Sequence, residues 1–451
     1  MSLKEIAREA KDAFSSIQAL SSEERDEALQ LIFDELKTAK NQVLEANTLD
    51  MEAAEKLLAE GKMSKSMCKR LDLRVSEKYE SMMQGVLDVK NLPDPLGHIS
   101  YANKIDDGLE LYRVSCAVGV LLVIFEARPE VVVNITSLAI KSGNAVILKG
   151  GKESTHSFDA LSNVIRKALS KSKVPLDAVQ LVHSRDEVSQ LLQLDEYIDL
   201  VIPRGSDTLV KNIKNNTKIP VLGHSKGLCS VYVHEDADLD QAVKLVWDSK
   251  TNYPAACNAV ETVLINQSVL ESHFPAITKK LIDSGVEVRC DDASYAVAAK
   301  ALPEAVASGK LKHSVVEDYD TEFSDLILCV KVVNSLSEAI QHINLHGSKH
   351  TDCIITTNEA AAKRFMTGVD AAGVYWNAST RFADGFRYGF GTEVGISTNK
   401  IHARGPMGLE GLTIYKYMLR GHGQIVGDYG VGPGKRSFKH EPLPAKHVSE
   451  L

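Results

Sequence analysis

The chain has 451 residues, of which 44% are hydrophobic and 25% are charged. This composition is that of a folded globular protein and excludes disordered, collagen-like and coiled-coil classes. The 52 Lys and Arg residues against 60 Asp and Glu residues give a formal net charge of -8, so no overall positive field is available to hold nucleic acid or an anionic membrane. The length predicts two or three domains, each with its own core.

The cysteines and the hydropathy pattern indicate the compartment. Seven cysteines are scattered along the chain without a C-x-x-C pair, which argues against a disulfide framework and against a zinc ribbon. The longest uncharged stretch ends at Glu126 and is shorter than the roughly 18 residues that a membrane span needs. The N-terminal helical pattern carries acidic residues that a transit peptide lacks. We therefore expect a cytoplasmic protein without a transmembrane helix.

The first part of the chain has two kinds of pattern. Helical periodicity fills residues 1 to about 90, and one helix is introduced by Ser21 and Glu24 as a capping box. Alternation on both sides of Asp107-Gly108 then predicts a β-hairpin. Such a hairpin is at best marginally stable alone, so it needs another surface to pair with.

Two sets of apolar runs separated by amphipathic helices follow. The first set comprises VLLVIF, AVILKGG, AVQLV (178–182), IDLVI (198–202), IPVLG (219–223) and CSVYV (229–233). The second set, after Cys257, comprises VETVLI, EVRC, DLILCVKVV, DCIIT and GVYWN. The sequence therefore predicts two doubly wound α/β domains with parallel sheets. A Gly- and Arg-rich stretch after Asn377 predicts loops that line a site, and we expect a mobile tail beyond Gly427.

A glycine-rich turn is the candidate cofactor site, because no G-x-G-x-x-G follows a predicted strand. In LKGGKES (148–154), a buried strand ends in Lys149, two glycines and the start of a helix. Close backbone approach at Gly150 and Gly151, beside lysines and a helix N-terminus, suits an adenosine ribose that carries a phosphate. A strand-to-helix turn with solvated lysines is the alternative. The same two interpretations apply to PRGSD at 203–207.

Cys257 is the candidate nucleophile. It lies in NYPAACNA, a loop of small residues directly before an apolar strand. A thiolate attacks carbonyl or acyl-phosphate carbon well, whereas a buried free cysteine is the plainer interpretation. His342, His346 and His350 recur every four residues, but a glycine after His346 ends the helix. We therefore predict a solvated histidine face there rather than a metal site.

Taken in order, these segments resemble the aldehyde dehydrogenase superfamily and, within it, the enzymes that reduce γ-glutamyl phosphate. The resemblance is nearly full length and rests on VIFEARPEV (123–131), SGNAVILKGGKES (142–154), DLVIPRGSD (199–207), TKIPVLGHSKGLC (217–229), TNYPAACNA (251–259), HTDCII (350–355) and GVYWNASTRFADGFRYGFGTEVGIST (373–398). It implies NADPH-dependent reduction of γ-glutamyl phosphate to glutamate 5-semialdehyde with release of phosphate, which is the second step of proline biosynthesis from glutamate.

The resemblance also implies roles for single residues. Cys257 would form a γ-glutamyl thioester, with its own backbone N–H and Asn258 or Asn252 as candidates to hold the oxyanion. The candidates for NADPH binding are Lys149, Gly150, Gly151, Lys152, Ser154, Gly205 and Glu322, of which Lys152 and Ser154 would contact the 2′-phosphate. The candidates for the substrate phosphate and α-carboxylate are Arg128, Arg381, Arg387, His402 and Arg404, although such arginines also pair with carboxylates.

One departure from the superfamily is informative. Where hydrolytic relatives carry a Glu in an E-L-G-G-K pattern, this chain reads VLGHSK. A general base for water is therefore missing at that position. This departure favours a reaction in which phosphate, and not water, exchanges with the thiol.

By the same resemblance, the fold is aldehyde dehydrogenase-like, with a small β arm for oligomerisation. The implied parts are a cofactor-binding domain at 1–99, 115–228 and 385–410, a catalytic domain at 229–384, and an arm and tail at 100–114 and 411–451. The arm would pair subunits in a homo-oligomer, either a dimer or a tetramer. Because the acyl phosphate cyclises readily, glutamate 5-kinase is a candidate partner for direct transfer.

Three other functions stay open at the level of sequence. An NAD(P) aldehyde dehydrogenase that works without phosphate would oxidise another small aldehyde, although the missing Glu argues against it. A catalytically idle relative would serve as a binding or scaffolding subunit. A cysteine hydrolase would use Cys257 with His224 or His402 as base, which requires the two side chains within hydrogen-bond reach.

Overall fold

The computed structural model describes residues 2–75, 77–126, 128–182, 185–205, 207–224 and 226–451. The helices are α1 (Leu3–Ile17), α2 (Ser22–Thr38), α3 (Lys40–Ala59), α4 (Lys65–Leu71), α5 (Lys78–Lys90), α6 (Val131–Lys141), α7 (Thr155–Leu169), α8 (Arg185–Leu191), α9 (Asp207–Asn215), α10 (Leu239–Thr251), α11 (Leu270–Asp283), α12 (Asp292–Ala301), α13 (Pro303–Ala307), α14 (Leu336–His346) and α15 (Glu359–Gly368). Within these described ranges, every helix is too short or too polar to cross a bilayer.

The strands are β1 (Ile99–Asp106), β2 (Leu109–Ala117), β3 (Val120–Phe125), β4 (Ala145–Lys149), β5 (Val179–Val182), β6 (Leu200–Arg204), β7 (Cys229–Val233), β8 (Val260–Asn266), β9 (Glu287–Cys290), β10 (Leu311–His313), β11 (Ile327–Val333), β12 (Thr351–Ile355), β13 (Gly373–Trp376), β14 (Gly395–Ser397), β15 (Gly405–Met407), β16 (Thr413–Arg420) and β17 (Glu441–Pro442). They form two parallel sheets, an antiparallel arm sheet and the short β14–β15 pair.

The first parallel sheet has the strand order β5-β4-β3-β6 and is covered on both faces. Successive side chains of a strand point to opposite faces, so β3 is apolar throughout: Leu121 and Val123 belong to the core with α6 and α7, while Leu122 belongs to the core with α1. The helical region predicted for residues 1 to 90 is confirmed as α1 to α5. The predicted capping box is also confirmed, because Ser21 Oγ accepts from the backbone N–H of Glu24 and the Glu24 carboxylate accepts from that of Ser21.

The second parallel sheet has the order β10-β9-β11-β8-β7-β12-β13. Val263 and Leu264 of β8 point into separate cores on its two faces, which confirms the doubly wound arrangement. Two details of the sequence reading are wrong. CSVYV is β7 of this sheet and not a strand of the first one. IPVLG forms only a single bridge, Val221 to Val201, because Pro220 has no N–H to donate to a ladder.

The arm is a four-stranded antiparallel sheet with the order β16-β2-β1-β17. The predicted hairpin is confirmed as β1 and β2, with Gly108 at φ 69° in the turn. The tail after Gly427 is not a detached segment, because β17 pairs with β1 and Arg436 Nη2 lies 2.6 Å from an Asp106 carboxylate oxygen. The domain boundaries stay a prediction; the arm strands run from Ile99 to Ala117, slightly beyond the predicted limits of 100 and 114.

A buried ion pair closes the loop that carries Cys257. Lys250 in the last turn of α10 and Glu261 in β8 lie on either side of this loop, with Nζ and Oε2 2.8 Å apart and side chains 0% and 2% exposed. Burial lowers the pKa of Lys250 and raises the pKa of Glu261, while their mutual attraction opposes both shifts. Glu261 Oε1 also accepts from the backbone N–H of Ser324 at 3.2 Å. The pair therefore ties α10, β8 and the loop before β11 together.

We predict that Lys250→Met lowers the free energy of unfolding by about 3–5 kcal/mol, because Glu261 then stays buried without a counter-charge. The two tryptophans of the chain, Trp247 and Trp376, lie in α10 and β13, so urea unfolding followed by intrinsic fluorescence reports on this part of the molecule. The matched double variant Lys250→Met/Glu261→Leu should recover most of the loss. A decrease below about 1 kcal/mol in the single variant would contradict a stabilising pair.

Candidate active site

Two cavities meet near the carboxyl ends of the first parallel sheet. One has a volume of about 670 Å³ and the other about 610 Å³. They share Met67, Phe125 and Glu126 in their walls. Ligands of α/β sheets characteristically bind beyond the carboxyl ends of the strands, so we take the two cavities together as the candidate active site.

The larger cavity contains part of the predicted cofactor set. Lys149, Gly151 and Lys152 line it. Gly150 is required by packing, because a Cβ there would lie 1.6 Å from the ring of Phe158 in α7. The turn thus brings the backbone of β4 close to the helix, which leaves Gly151 and the two lysines facing the cavity.

The other predicted cofactor residues lie around this region but not all in the same cavity. Ser154 is fully buried, and its hydroxyl has no hydrogen-bond partner within the part of the chain that the structure describes. Gly205 lines the smaller cavity, and a Cβ there would lie 2.8 Å from a Glu126 carboxylate oxygen. Glu322 lines neither cavity, but its charge acts on His224. Ser206, in the predicted PRGSD loop, lies outside the described residues.

Cys257 lines the smaller cavity from the loop between α10 and β8. It is partly buried, whereas Cys229 lies in β7 and is fully buried. Two contacts to the backbone carbonyl of Cys257 fix the course of this loop. A Cβ at position 227 would lie 2.0 Å from the carbonyl oxygen of Cys257, so only Gly227 fits there. The thiol of Cys229 donates to the same carbonyl at 3.4 Å.

Two histidines flank the Cys257 thiol. Its sulfur and one ring nitrogen from each of His224 and His350 all lie within 4.8 Å of one another. The two rings meet edge to face, with centroids 5.0 Å apart. Nδ1 of His224 lies 2.8 Å from the carbonyl oxygen of Ile396 and must donate to it, so Nε2 is the bare nitrogen of the neutral ring. Burial lowers the pKa of His224 and so favours this neutral form.

His350 is completely buried, and the described residues include no hydrogen-bond partner for its Nε2. Its Nδ1 lies 2.9 Å from Thr351 Oγ1. The predicted end of the helix before His350 is confirmed, since α14 ends at His346. The predicted solvated histidine face is wrong, because His342 and His350 are buried. The rings of His342 and His346 lie on α14 with centroids 4.4 Å apart and planes tilted by 34°. One feature of the sequence could have indicated that His350 and His224 belong to the site: each lies in a segment that resembles the superfamily.

The two predicted oxyanion partners have different contacts. Asn258 is buried, and one hydrogen of its Nδ2 is donated to the carbonyl of Ala383 at 2.8 Å. Asn252 is exposed, and its Oδ1 lies 3.4 Å from Nε of Arg381. Asn258 therefore keeps one amide hydrogen available near Cys257, while the contact of Asn252 orients an arginine.

The smaller cavity is rich in arginine. Its walls include Arg70, Arg128, Arg204 and Arg381, together with the acids Glu126, Asp384 and Glu393. Burial lowers the pKa of Arg128 and of Arg381, but a guanidinium stays charged in proteins. Glu393 lies 3.9 Å from Arg204. Of the predicted substrate residues, the structure thus brings Arg128 and Arg381 to the same cavity as Cys257, and such a lining suits an anionic ligand.

The other three predicted substrate residues line neither cavity. Arg387 is exposed and donates to the carbonyl of Arg381. His402 is also exposed, and its Nε2 contacts a backbone carbonyl at 2.9 Å. Arg404 is paired with Asp370, with Nη1 and Oδ1 2.9 Å apart. Asp370 also pairs with Lys349 and Lys400. Because Arg404 is held at this carboxylate and lines neither cavity, the structure does not favour a direct role for it in substrate binding.

Comparison with known proteins agrees with these features. The aldehyde dehydrogenase family profile matches residues 1–298. A probable gamma-glutamyl phosphate reductase of Schizosaccharomyces pombe is 67% identical over 451 residues, which is 100% of this chain and 99% of that protein. The gamma-glutamyl phosphate reductase of Saccharomyces cerevisiae is 49% identical over 458 residues, or 99% of each chain.

A solved structure extends the comparison to the fold. The crystal structure of gamma-glutamyl phosphate reductase from Thermotoga maritima matches with a TM-score of 0.88 at 36% identity, covering 94% of this chain and 100% of that one. The expected aldehyde dehydrogenase-like fold is therefore confirmed. The chain belongs to the aldehyde dehydrogenase family and, within it, to the γ-glutamyl phosphate reductases.

Proposed function

We propose that this protein reduces γ-glutamyl phosphate to glutamate 5-semialdehyde and phosphate with NADPH, as the second step of proline biosynthesis from glutamate, in the cytoplasm. The observation that carries the proposal is the partly exposed thiol of Cys257 in an arginine-lined cavity, beside a neutral histidine. An acyl phosphate needs a nucleophile for its carbon and cations for its phosphate. The relatives named above support this choice of substrate.

In the first step, Nε2 of His224 accepts the proton of the Cys257 thiol. The thiolate attacks the acyl carbon, a C–S bond forms, and the bond from carbon to the phosphate oxygen breaks with its electrons on phosphate. The guanidinium groups of Arg128 and Arg381 bind the phosphate and the α-carboxylate. The product is a γ-glutamyl thioester, and Val221 stands where hydrolytic relatives carry the Glu that activates water.

The oxyanion that forms on the acyl oxygen needs hydrogen-bond donors. The backbone N–H of Cys257 and the remaining amide hydrogen of Asn258 are the proposed donors, because both belong to the nucleophile loop. Removal of one such donor typically lowers the rate by about two to three orders of magnitude. Asn252 acts indirectly by orienting Arg381 through its 3.4 Å contact.

The larger cavity is the proposed place of the cofactor, and its residues fit a phosphorylated dinucleotide. Lys149 and Lys152 line this cavity and supply positive charge, and Gly151 lines it between them. Gly150 packs against Phe158 and Ser154 is fully buried outside the lining, so their proposed part is to shape the turn. When bound in this cavity, NADPH would supply the hydride that reduces the thioester carbonyl. The resulting thiohemiacetal breaks its C–S bond, which releases the aldehyde and the thiolate of Cys257. Gly205 and Glu322 stay candidates for further cofactor contacts.

The arm suggests how subunits associate. β16 is an edge strand with unpaired backbone groups, and it exposes Ile414, Tyr415, Tyr417 and Leu419. A long apolar edge is a ready template for another strand. We therefore include a homo-oligomer, a dimer or a tetramer, in the proposal. Contact with glutamate 5-kinase is also included, since the substrate is a labile acyl phosphate.

The first prediction concerns the nucleophile. Cys257→Ser should lower phosphate-dependent NADP⁺ reduction with glutamate 5-semialdehyde by at least about 1000-fold, because the Ser hydroxyl is a far weaker nucleophile and gives an oxygen ester in place of the thioester. Cys116→Ser, at a partly buried cysteine of β2, is the matched control and should keep the parent rate. Parent activity that does not need phosphate would instead indicate an aldehyde dehydrogenase that hydrolyses its thioester.

The second prediction concerns pH. Because burial lowers the pKa of His224 below its ordinary value of about 6.5, its bare Nε2 persists to lower pH than in a solvated histidine. The acid limb of kcat/KM should therefore fall below pH 6.5, and activity should be lost only as the pH drops through that lowered pKa. His224→Gln should remove this limb together with most of the activity. An acid limb centred above pH 6.5 in the parent would speak against His224 as the base.

The third prediction concerns the arm. Tyr417→Lys/Leu419→Lys should convert the oligomer to a smaller species in light scattering coupled to size exclusion, because two buried charges would then oppose strand pairing. Val316→Lys, at an exposed position outside the arm, is the control and should leave the mass unchanged. An unchanged mass in the double variant would show that β16 is not the interface.

A further inference from the structure

We propose that Cys257, His224 and His350 form a binding site for a soft divalent cation, best fitted by Zn²⁺, and that the bound ion reversibly blocks the thiol. The blocking rests on the function proposed above, whereas the site itself does not. The thiol and the two imidazoles lie where the smaller cavity borders the protein interior.

The geometry fits a tetrahedral centre with one open position. Zn²⁺ binds thiolate sulfur at about 2.3 Å and imidazole nitrogen at about 2.0–2.1 Å. These bond lengths place neighbouring ligand atoms roughly 3.3–3.6 Å apart in a tetrahedron. The three atoms here already lie within 4.8 Å of one another, so small side-chain rotations bring them to that spacing. A three-residue set leaves the fourth position to water or to an anion in the cavity.

Both histidines are oriented as metal ligands usually are. A ligating histidine typically uses its other ring nitrogen to contact a carbonyl or another oxygen, which fixes the tautomer and the direction of the ring. Nδ1 of His224 lies 2.8 Å from the carbonyl of Ile396, and Nδ1 of His350 lies 2.9 Å from Thr351 Oγ1. Nε2 is thus the nitrogen that each ring offers to the cluster.

The unpartnered nitrogen of His350 is a second, independent observation. His350 is 0% exposed, and its Nε2 lacks a hydrogen-bond partner within the described ranges of the chain. A buried polar atom without a partner is unfavourable and calls for an explanation in a native structure. A cation shared with Cys257 would satisfy it.

The charges that line the cavity and the chemistry of the three ligands together determine which cation the site favours. The arginines of the lining disfavour hard cations that rely on charge alone, and Glu126, Asp384 and Glu393 offset them only in part. A thiolate and two neutral imidazoles are soft and borderline ligands, which favour Zn²⁺ over Mg²⁺ or Ca²⁺. Binding replaces the thiol proton: the S–H bond breaks, an S–Zn bond forms and H⁺ leaves to solvent. The sulfur electron pair then cannot attack an acyl carbon.

The test uses the full-length protein and Co²⁺ as a spectroscopic probe for Zn²⁺. The parent should show a thiolate-to-cobalt charge-transfer band and strong visible d–d bands of a tetrahedral ion, and Zn²⁺ should displace both. Cys257→Ser should lose the charge-transfer band. His350→Gln should weaken cobalt binding at least about 10-fold, and His224→Gln, at a less buried position, provides the same test if the first variant does not fold.

The matched control is the histidine pair of α14. The ring centroids of His342 and His346 lie 4.4 Å apart, so these two imidazoles could hold a metal without a thiolate. His346→Gln should leave the charge-transfer band unchanged. A band that is absent from the parent, or one that survives in Cys257→Ser, would overturn the proposed site, as would cobalt binding that disappears in His346→Gln.

Two further readouts separate the site from its effect. Zn²⁺ should protect Cys257 from iodoacetamide, as measured by peptide mass spectrometry, and a chelator should restore alkylation. It should also inhibit phosphate-dependent turnover, with recovery on chelation. If the cobalt spectra and the protection appear in a parent that does not turn over glutamate 5-semialdehyde, the site stands and the proposed function fails. If turnover is present and Zn²⁺ neither protects nor inhibits, the proposed blocking is wrong.

Discussion

The loop that carries Cys257 depends on the buried ion pair between Lys250 and Glu261. A loop of small residues has few side-chain contacts of its own, so its course is set by what holds its two ends. Here one opposite charge stands before the loop and the other after it, both out of water, where an unpaired charge is strongly disfavoured. Separating the two ends of the loop would therefore break this buried contact. Through Ser324, the same carboxylate also holds the segment next to Glu322.

This constraint explains how the Cys257 side chain is held between a cavity and the buried interior. The carbonyl of Cys257 is pressed against Gly227 and contacted by the thiol of Cys229, so the backbone is fixed while the side chain faces the cavity. One ring nitrogen from each of His224 and His350 lies within 4.8 Å of the Cys257 sulfur, and arginines line the same cavity. Burial favours the neutral form of His224, and a lining with guanidinium groups suits an anionic ligand.

Much of the architecture could be predicted from the sequence, because it follows from local pattern. Helical periodicity, the Ser21 capping box, the Asp107-Gly108 turn and the alternation of apolar runs with helices all depend on neighbouring residues. Strand membership is harder, since pairing is decided at a distance: IPVLG looks like a strand until Pro220 and the course of β7 are considered together. Cys257 was singled out because its loop precedes a strand and resembles a known segment; the structure places it in a cavity wall, and its role as nucleophile stays a prediction.

The rest of the site depends on contacts that spacing does not show. Arg404 and Arg381 are equivalent in a sequence, but Asp370 pairs with the first, while the second reaches the cavity. His350 follows two helical histidines at a regular interval, although the chain leaves the helix between them. In both cases, the partner that decides the role comes from a remote part of the chain, and only the folded structure brings the two together.

The arm sheet has a consequence for biosynthesis of the protein. β1 and β2 leave the ribosome long before their sheet neighbours β16 and β17 are translated. Chains fold as they emerge, from the N-terminus onward, so the hairpin must wait with two open edges until those two strands appear. Such long-range strand pairing is slow. The arm sheet can therefore form only after the strands of both parallel sheets have been translated.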